Sequence, residues 1–167
     1  GWTCQVIATN VAKAGGFEAS GVEDFVHGSG ETLTASIASA YSSKEPWFGY
    51  YWSPSLVLGK YPMVQVALGS HDPAQQACNS DVNCATPMVQ NWPSSVVTTV
   101  VTDTFEASHP AEADVMRNLS FTNAMMNGLL AWQDENKATG DEAAVYFLST
   151  QQDIWKSWIN DSARGKL

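Results

Sequence analysis

Residues 23–52, EDFVHGSGETLTASIASAYSSKEPWFGYYW, decide the reading of the fold. Glu23 to His27 reads as a short strand, and Gly28-Ser29-Gly30 as a turn. Ser29 is a natural cap for a helix from Glu31 to Ser43, whose apolar positions Leu33, Ile37 and Ala40-Tyr41 recur at helical spacing. Trp47 to Trp52 is aromatic and fits a second strand, ended by Pro54. Met63 to Leu68 reads as a third. This strand–helix–strand order predicts an α/β fold with parallel pairing.

The aromatic strand is also the first functional signal. Its side chains alternate, so Phe48, Tyr50 and Trp52 share one face while Trp47, Gly49 and Tyr51 share the other. In open α/β sheets ligands bind beyond the carboxyl ends of strands. Trp52, last before Ser53-Pro54, is the residue placed for that, and Trp47 and Tyr51 are expected in the core. A second tryptophan, Trp2, sits in Gly1-Trp2-Thr3-Cys4, just before a helix expected over residues 5–14 that stops at Gly15-Gly16. Aromatic faces beside turns suit a quaternary ammonium, which offers no hydrogen bonds and is held by cation–π attraction.

Further along, a polar loop is expected from Ser70 to Trp92 and a β-branched strand from Ser95 to Thr102. Helices should follow: one from His109-Pro110, one over Thr122 to Asn136, one after Gly140-Asp141, and one over Gln151 to Ile159. Ile154, Trp155 and Trp158 in the last of these read as core. A composition shift near residue 90 marks a candidate boundary between residues 1–90 and 91–167. Trp92, at that crossover, is a candidate to face a cleft.

Composition narrows the function classes. With 44% hydrophobic and 15% charged residues the chain can bury a core. The formal charge of −9 leaves no basic patch for phosphates and excludes a nucleic-acid partner, while allowing a cationic or zwitterionic ligand. No apolar run approaches the roughly 20 residues that span a bilayer, and no signal peptide is visible, so the expectation is a mature or truncated chain.

Cys78 and Cys84 flank Asn79-Ser80-Asp81-Val82-Asn83. In an oxidising compartment they would close this loop as a disulfide; in the cytosol they would be two free thiols. Cys4 is then the odd thiol, either buried and free or paired outside this chain. No Cys/His spacing points to zinc or another metal. Asn79, Asp81 and Asn83 alternate like calcium ligands, but the glycine and later glutamate of an EF-hand are missing.

The order Gly1-Trp2-Thr3-Cys4, helix, Gly28-Ser29-Gly30-Glu31-Thr32-Leu33, Tyr50-Tyr51-Trp52-Ser53-Pro54, then the strand after Asn91-Trp92-Pro93, resembles substrate-binding proteins of ABC importers for glycine betaine, proline betaine and choline. The resemblance extends through Asn123-Ala124-Met125-Met126 to Trp155-Lys156-Ser157-Trp158. It implies a type II periplasmic-binding-protein-like α/β clamshell, of which this chain carries lobe two (1–90) and the returning strand and helices of lobe one (91–167). It implies a periplasmic or extracytoplasmic location, a membrane permease as partner, no cofactor, and a small methylated-ammonium ligand such as betaine, choline, carnitine or trimethylamine N-oxide. Trp2 and Trp52 match walls of the family's aromatic cage, and the Thr3 and Cys4 N–H groups match donors to the ligand's carboxylate. The family's opening stretch of lobe one has no counterpart, which predicts self-association of this chain or a mobile second half. The family often pairs the cysteine matching Cys4 with one a few residues upstream.

Two rivals remain. A thiol-dependent hydrolase would use Cys4 with His27, His71 or His109 as base, yet no G-x-S-x-G or H-E-x-x-H string accompanies them. A sugar-stacking module would use the same aromatics, but such modules are mostly β and the second half here reads as helical.

Overall fold

A computed structural model describes residues 2–165. The chain divides into two compact units, Gly1–Trp52 with Tyr61–Ser95, and Ser53–Lys60 with Val96–Leu167.

The first unit is built on helices α1 (Thr3–Ala14) and α2 (Gly30–Ser43). Ile7 and Val11, four apart on α1, are buried, as are Ile37 and Ala40 on α2. α1 ends at Gly15, and Gly16 takes φ +62°, where a side chain would be strained. The start of α2 is a reciprocal cap: Ser29 Oγ accepts from Thr32 N–H at 3.3 Å and Thr32 Oγ1 from Ser29 N–H at 3.1 Å. The Ser29 hydroxyl also lowers the pKa of Glu31 in that first turn.

The expected loop after Ser70 contains a helix of its own. In chain order the short helix α3 (Leu56–Lys60), part of the second unit, comes first, and then α4 (Pro73–Asn79). Asp72 caps α4, accepting from Ala74 N–H at 2.8 Å, and Pro73 occupies its first turn. The polar sequence hides the helix because a cap and a proline read equally well as a turn. α4 packs on α1 through polar groups. Asn10 on α1, itself buried, donates to the carbonyls of Asn79 and Asp81 at 3.0 and 2.9 Å. Asn79, 0% exposed, donates to Met88 C=O at 2.9 Å and accepts from Met88 N–H at 3.1 Å. Asp81 Oδ1 accepts from Asn83 N–H at 2.9 Å. Two of the three oxygens that alternate like calcium ligands, those of Asn79 and Asp81, thus shape the loop itself.

Cys78 and Cys84 are joined, with Cα atoms 5.2 Å apart, and Cys4 is free. Mass spectrometry of a non-reduced digest should recover Cys78 and Cys84 in one linked peptide pair. A Cys4–Cys78 or Cys4–Cys84 link would contradict this arrangement.

In the second unit, α5 (Asp103–Ser108), α6 (Pro110–Asn118), α7 (Asn123–Glu135), α8 (Gly140–Thr150), α9 (Gln152–Trp155) and α10 (Asp161–Arg164) join α3. α3 lies against α7: Ser55 N–H donates to Asn127 Oδ1 at 2.6 Å, and Lys60 pairs with Asp134 at 2.7 Å, which lowers the Asp134 pKa. These contacts place Ser53–Lys60 in the second unit. Phe147 and Trp158 are buried and the exposed Phe121 packs against both, with centroids 5.1 Å (Phe121–Trp158), 5.2 Å (Phe121–Phe147) and 5.7 Å (Phe147–Trp158) apart. The helix expected over Gln151 to Ile159 stops at Trp155. From there Ser157 and Trp158 N–H bond back three residues, at 3.0 Å each, and Trp158 is buried while Trp155 is half-buried.

The four strands expected at Glu23–His27, Trp47–Trp52, Met63–Leu68 and Ser95–Thr102 form no ladder among the described residues. The parallel α/β pairing read from strand–helix–strand order is therefore replaced by irregular backbone between helices. Val97, at 92% exposure, has its side chain in solvent. β-Branched composition expresses fit to a pleated, half-buried surface, so without a neighbouring strand it fixes no strand.

Candidate ligand-binding site

The aromatic stretch keeps its alternation without a ladder. Trp47 Nε1–H donates to Ser36 Oγ on α2 at 3.1 Å, and the Tyr51 hydroxyl meets Thr34 Oγ1 on α2 at 2.9 Å. Both tryptophan and tyrosine are half-buried there, which anchors one face of the stretch to α2. Gly49 lies between them; a Cβ at that position would come within 2.7 Å of the Trp47 ring.

The other face gathers rings. Phe48 meets Phe17 edge-on at 5.5 Å. Tyr50 lies against Trp92 with centroids 4.1 Å apart and has Trp52 at 6.5 Å. Trp52 departs from strict alternation by stacking on its neighbour Tyr51, 4.3 Å away and within 6° of parallel. That stack fixes the ring while leaving Trp52 41% exposed. Trp92 is brought in by the segment before it: Asn91 Oδ1 accepts from Leu68 N–H at 2.7 Å, and Gln90 Oε1 accepts from Asp72 N–H at 2.9 Å.

Cys4, on the first turn of α1, adjoins this cluster. Burial first, and the neighbouring Cys4 side chain second, push the pKa of the Tyr50 hydroxyl far above its usual value. Trp2 caps α1 without a side-chain hydrogen bond. The N–H groups of Gln5 and Val6 turn back to the Trp2 carbonyl at 2.9 and 3.4 Å, whereas those of Thr3 and Cys4 have no acceptor among the described residues. They are the donors that a helix N-terminus offers an anion. The Trp2 ring is 73% exposed and meets none of the other described rings.

Trp52, Trp92 and Cys4 thus come together around Tyr50, and Trp2 stands apart. The alternation puts Tyr50 on the Trp52 face, but only folding sets it against Trp92. The histidines have other settings. His27 lies against Phe25 at 4.9 Å, His109 against Phe105 at 5.2 Å, and His71 Nε2 is buried without a hydrogen bond. Among the described residues no group of three or more His, Cys, Asp or Glu is gathered for a metal, and no helix is long and apolar enough to cross a membrane.

Residues 1–150 match the family model OpuAC, the substrate binding domain of the ABC-type glycine betaine transport system, and the chain belongs to that family. It is thereby a substrate-binding component of ABC transport.

Proposed function

We propose that the chain captures a small quaternary-ammonium or methylamine osmolyte, glycine betaine or a near relative, and delivers it outside the cytoplasm to the permease of an ABC importer. The observation that carries the reading is the cluster of Tyr50, Trp52 and Trp92 beside the first turn of α1, in a chain of this family. A betaine carries its cation a few ångströms from its carboxylate, so aromatic faces and a helix N-terminus in one neighbourhood match both ends.

In this proposal Trp52 and Trp2 are cage walls, Trp92 is a further aromatic face, and the Thr3 and Cys4 N–H groups bind the carboxylate. The reading assigns 1–90 to lobe two and 91–167 to the returning part of lobe one of a periplasmic-binding-protein-like clamshell, in which closure around the ligand is what would exclude water from the cation. Each well-desolvated aromatic contact contributes up to about 2 kcal/mol. Charge-assisted hydrogen bonds offset desolvation of the carboxylate.

Tryptophan fluorescence titration of the intact binding protein with glycine betaine, choline, trimethylamine N-oxide and a set of sugars tests this. Saturable quenching or enhancement with methylated ammonium compounds and none with sugars is expected. A response to sugars alone would overturn the proposal.

A further inference from the structure

Trp92 reaches the aromatic cluster from a stretch, residues 86–92, that forms no ladder among the described residues. Side-chain amides of α4 take the place of a neighbouring strand. Gln75 Nε2 donates to Thr86 C=O at 2.9 Å. Asn79 exchanges two bonds with the backbone of Met88, at 2.9 and 3.1 Å, as the opposite residue of a ladder would. Gln90 Nε2 donates to Gln76 Oε1 at 3.0 Å, and Gln90 Oε1 accepts from the N–H of Asp72, the α4 cap, at 2.9 Å. These anchors fall at every second residue, Thr86, Met88 and Gln90. Asn91 adds a bond to a different segment, its Oδ1 accepting from Leu68 N–H at 2.7 Å.

Asn79 and Gln90 are 0% and 4% exposed. A slip of the stretch by one residue would orphan both amides, and a buried polar group without a partner is costly. The register is therefore fixed, and Trp92 is the first residue after the last anchor, with its ring 4.1 Å from Tyr50.

We propose that Gln90 and Asn91 are positioning residues that hold the Trp92 ring in the aromatic cluster. The inference rests on the proposed capture of a methylated-ammonium ligand and goes beyond it by assigning a role to two side chains that act through Trp92. Gln90 fixes the stretch along α4 and Asn91 fixes it against Leu68, so the ring departs from backbone held by two segments. A cation–π contact depends on where the ring face lies, so holding that backbone holds the contact.

Fluorotryptophan labelling of the intact binding protein reads the ring directly. The fluorine line missing from Trp92→Ala is that of Trp92, and the line missing from Trp132→Phe, in the second unit, serves as reference. Gln90→Met removes both bonds at similar length; Asn91→Leu removes the acceptor and Asn91→Asp keeps it. Gln90→Met and Asn91→Leu should shift or broaden the Trp92 line and leave the Trp132 line in place. Both should weaken glycine betaine by about tenfold, the loss expected when one aromatic contact with the cation is misplaced. Asn91→Asp should keep the Trp92 line and hold affinity within about twofold, because its carboxylate still accepts from Leu68 N–H. In a Trp92→Ala background Gln90→Met and Asn91→Leu should cost no further affinity, since the ring they place is gone. Thermal midpoints report any general loss of fold. An unmoved Trp92 line in Gln90→Met and Asn91→Leu would overturn the inference while leaving the wild-type function standing. So would a line moved as far by Asn91→Asp as by Asn91→Leu, or the same loss of affinity with and without Trp92. A wild-type protein that binds no betaine would overturn the functional proposal, and this one with it.

Discussion

Trp52→Ala is expected to weaken glycine betaine binding by about 30-fold in the intact binding protein, from loss of one desolvated cation–π wall of about 2 kcal/mol. The fold should survive. Trp52 is 41% exposed, and the ring it leaves behind, Tyr51, keeps its hydroxyl contact with Thr34 on α2. Losing the Trp52–Tyr51 stack costs stability of about 1 kcal/mol. Calorimetric titration, with circular dichroism as the folding control, separates the two effects. Normal affinity would remove Trp52 from the site, and an unfolded variant would mark it as a core residue.

Gly59→Ala is expected to have the largest effect on stability. A Cβ on Gly59 would lie 2.2 Å from the backbone oxygen of Asn127 and 3.0 Å from Ala131 Cβ. The obstacle is helix backbone, which cannot rotate away as a side chain can, so α3 must lift off α7. That motion also pulls Ser55 N–H from Asn127 Oδ1 and Lys60 from Asp134. Overpacking of this kind costs about 3 kcal/mol or more. Gly128 on α7 is the control, because nothing lies within 4 Å of its Cβ position. Gly128→Ala should stabilise by up to about 1 kcal/mol through helix propensity alone. Urea denaturation of both variants decides the matter: a Gly59→Ala protein as stable as Gly128→Ala would contradict the close approach of α3 and α7.

Helices α1, α2, α6 and α8 are legible because a local signal specifies each, whereas α5 and α10 escape the sequence reading although Thr102 and Asn160 cap them. Ser29 and Thr32 cap α2, Gly15-Gly16 end α1, and Pro110 and Gly140 lie at the starts of α6 and α8, all within one turn of the residues they govern. α4 is illegible in the sequence because Asp72-Pro73 has the same local chemistry in a turn as in a helix start. α3 was missed because five residues give too little periodicity to read. Trp158, a core residue by its helical spacing, is buried through a tight turn after α9 instead, since burial follows from tertiary contacts with Phe121 and Phe147.

The site divides in the same way. Sequence alone determined that the chain is acidic, carries an aromatic run with two alternating faces, and places Trp2, Thr3 and Cys4 at a helix start. Those properties depend on residue identity and on a period of two or 3.6, which need no partner. Tertiary structure decided which aromatics meet. It set Tyr50 against Trp92, turned the Trp52 ring onto Tyr51 and joined Cys78 to Cys84. It also decided that the β-branched stretches form no ladder among the described residues, and that Ser53–Lys60 belongs with α7. The physical reason is common to all of these: a ring contact, a ladder or a helix packing needs a second segment, and local propensity does not say which one arrives.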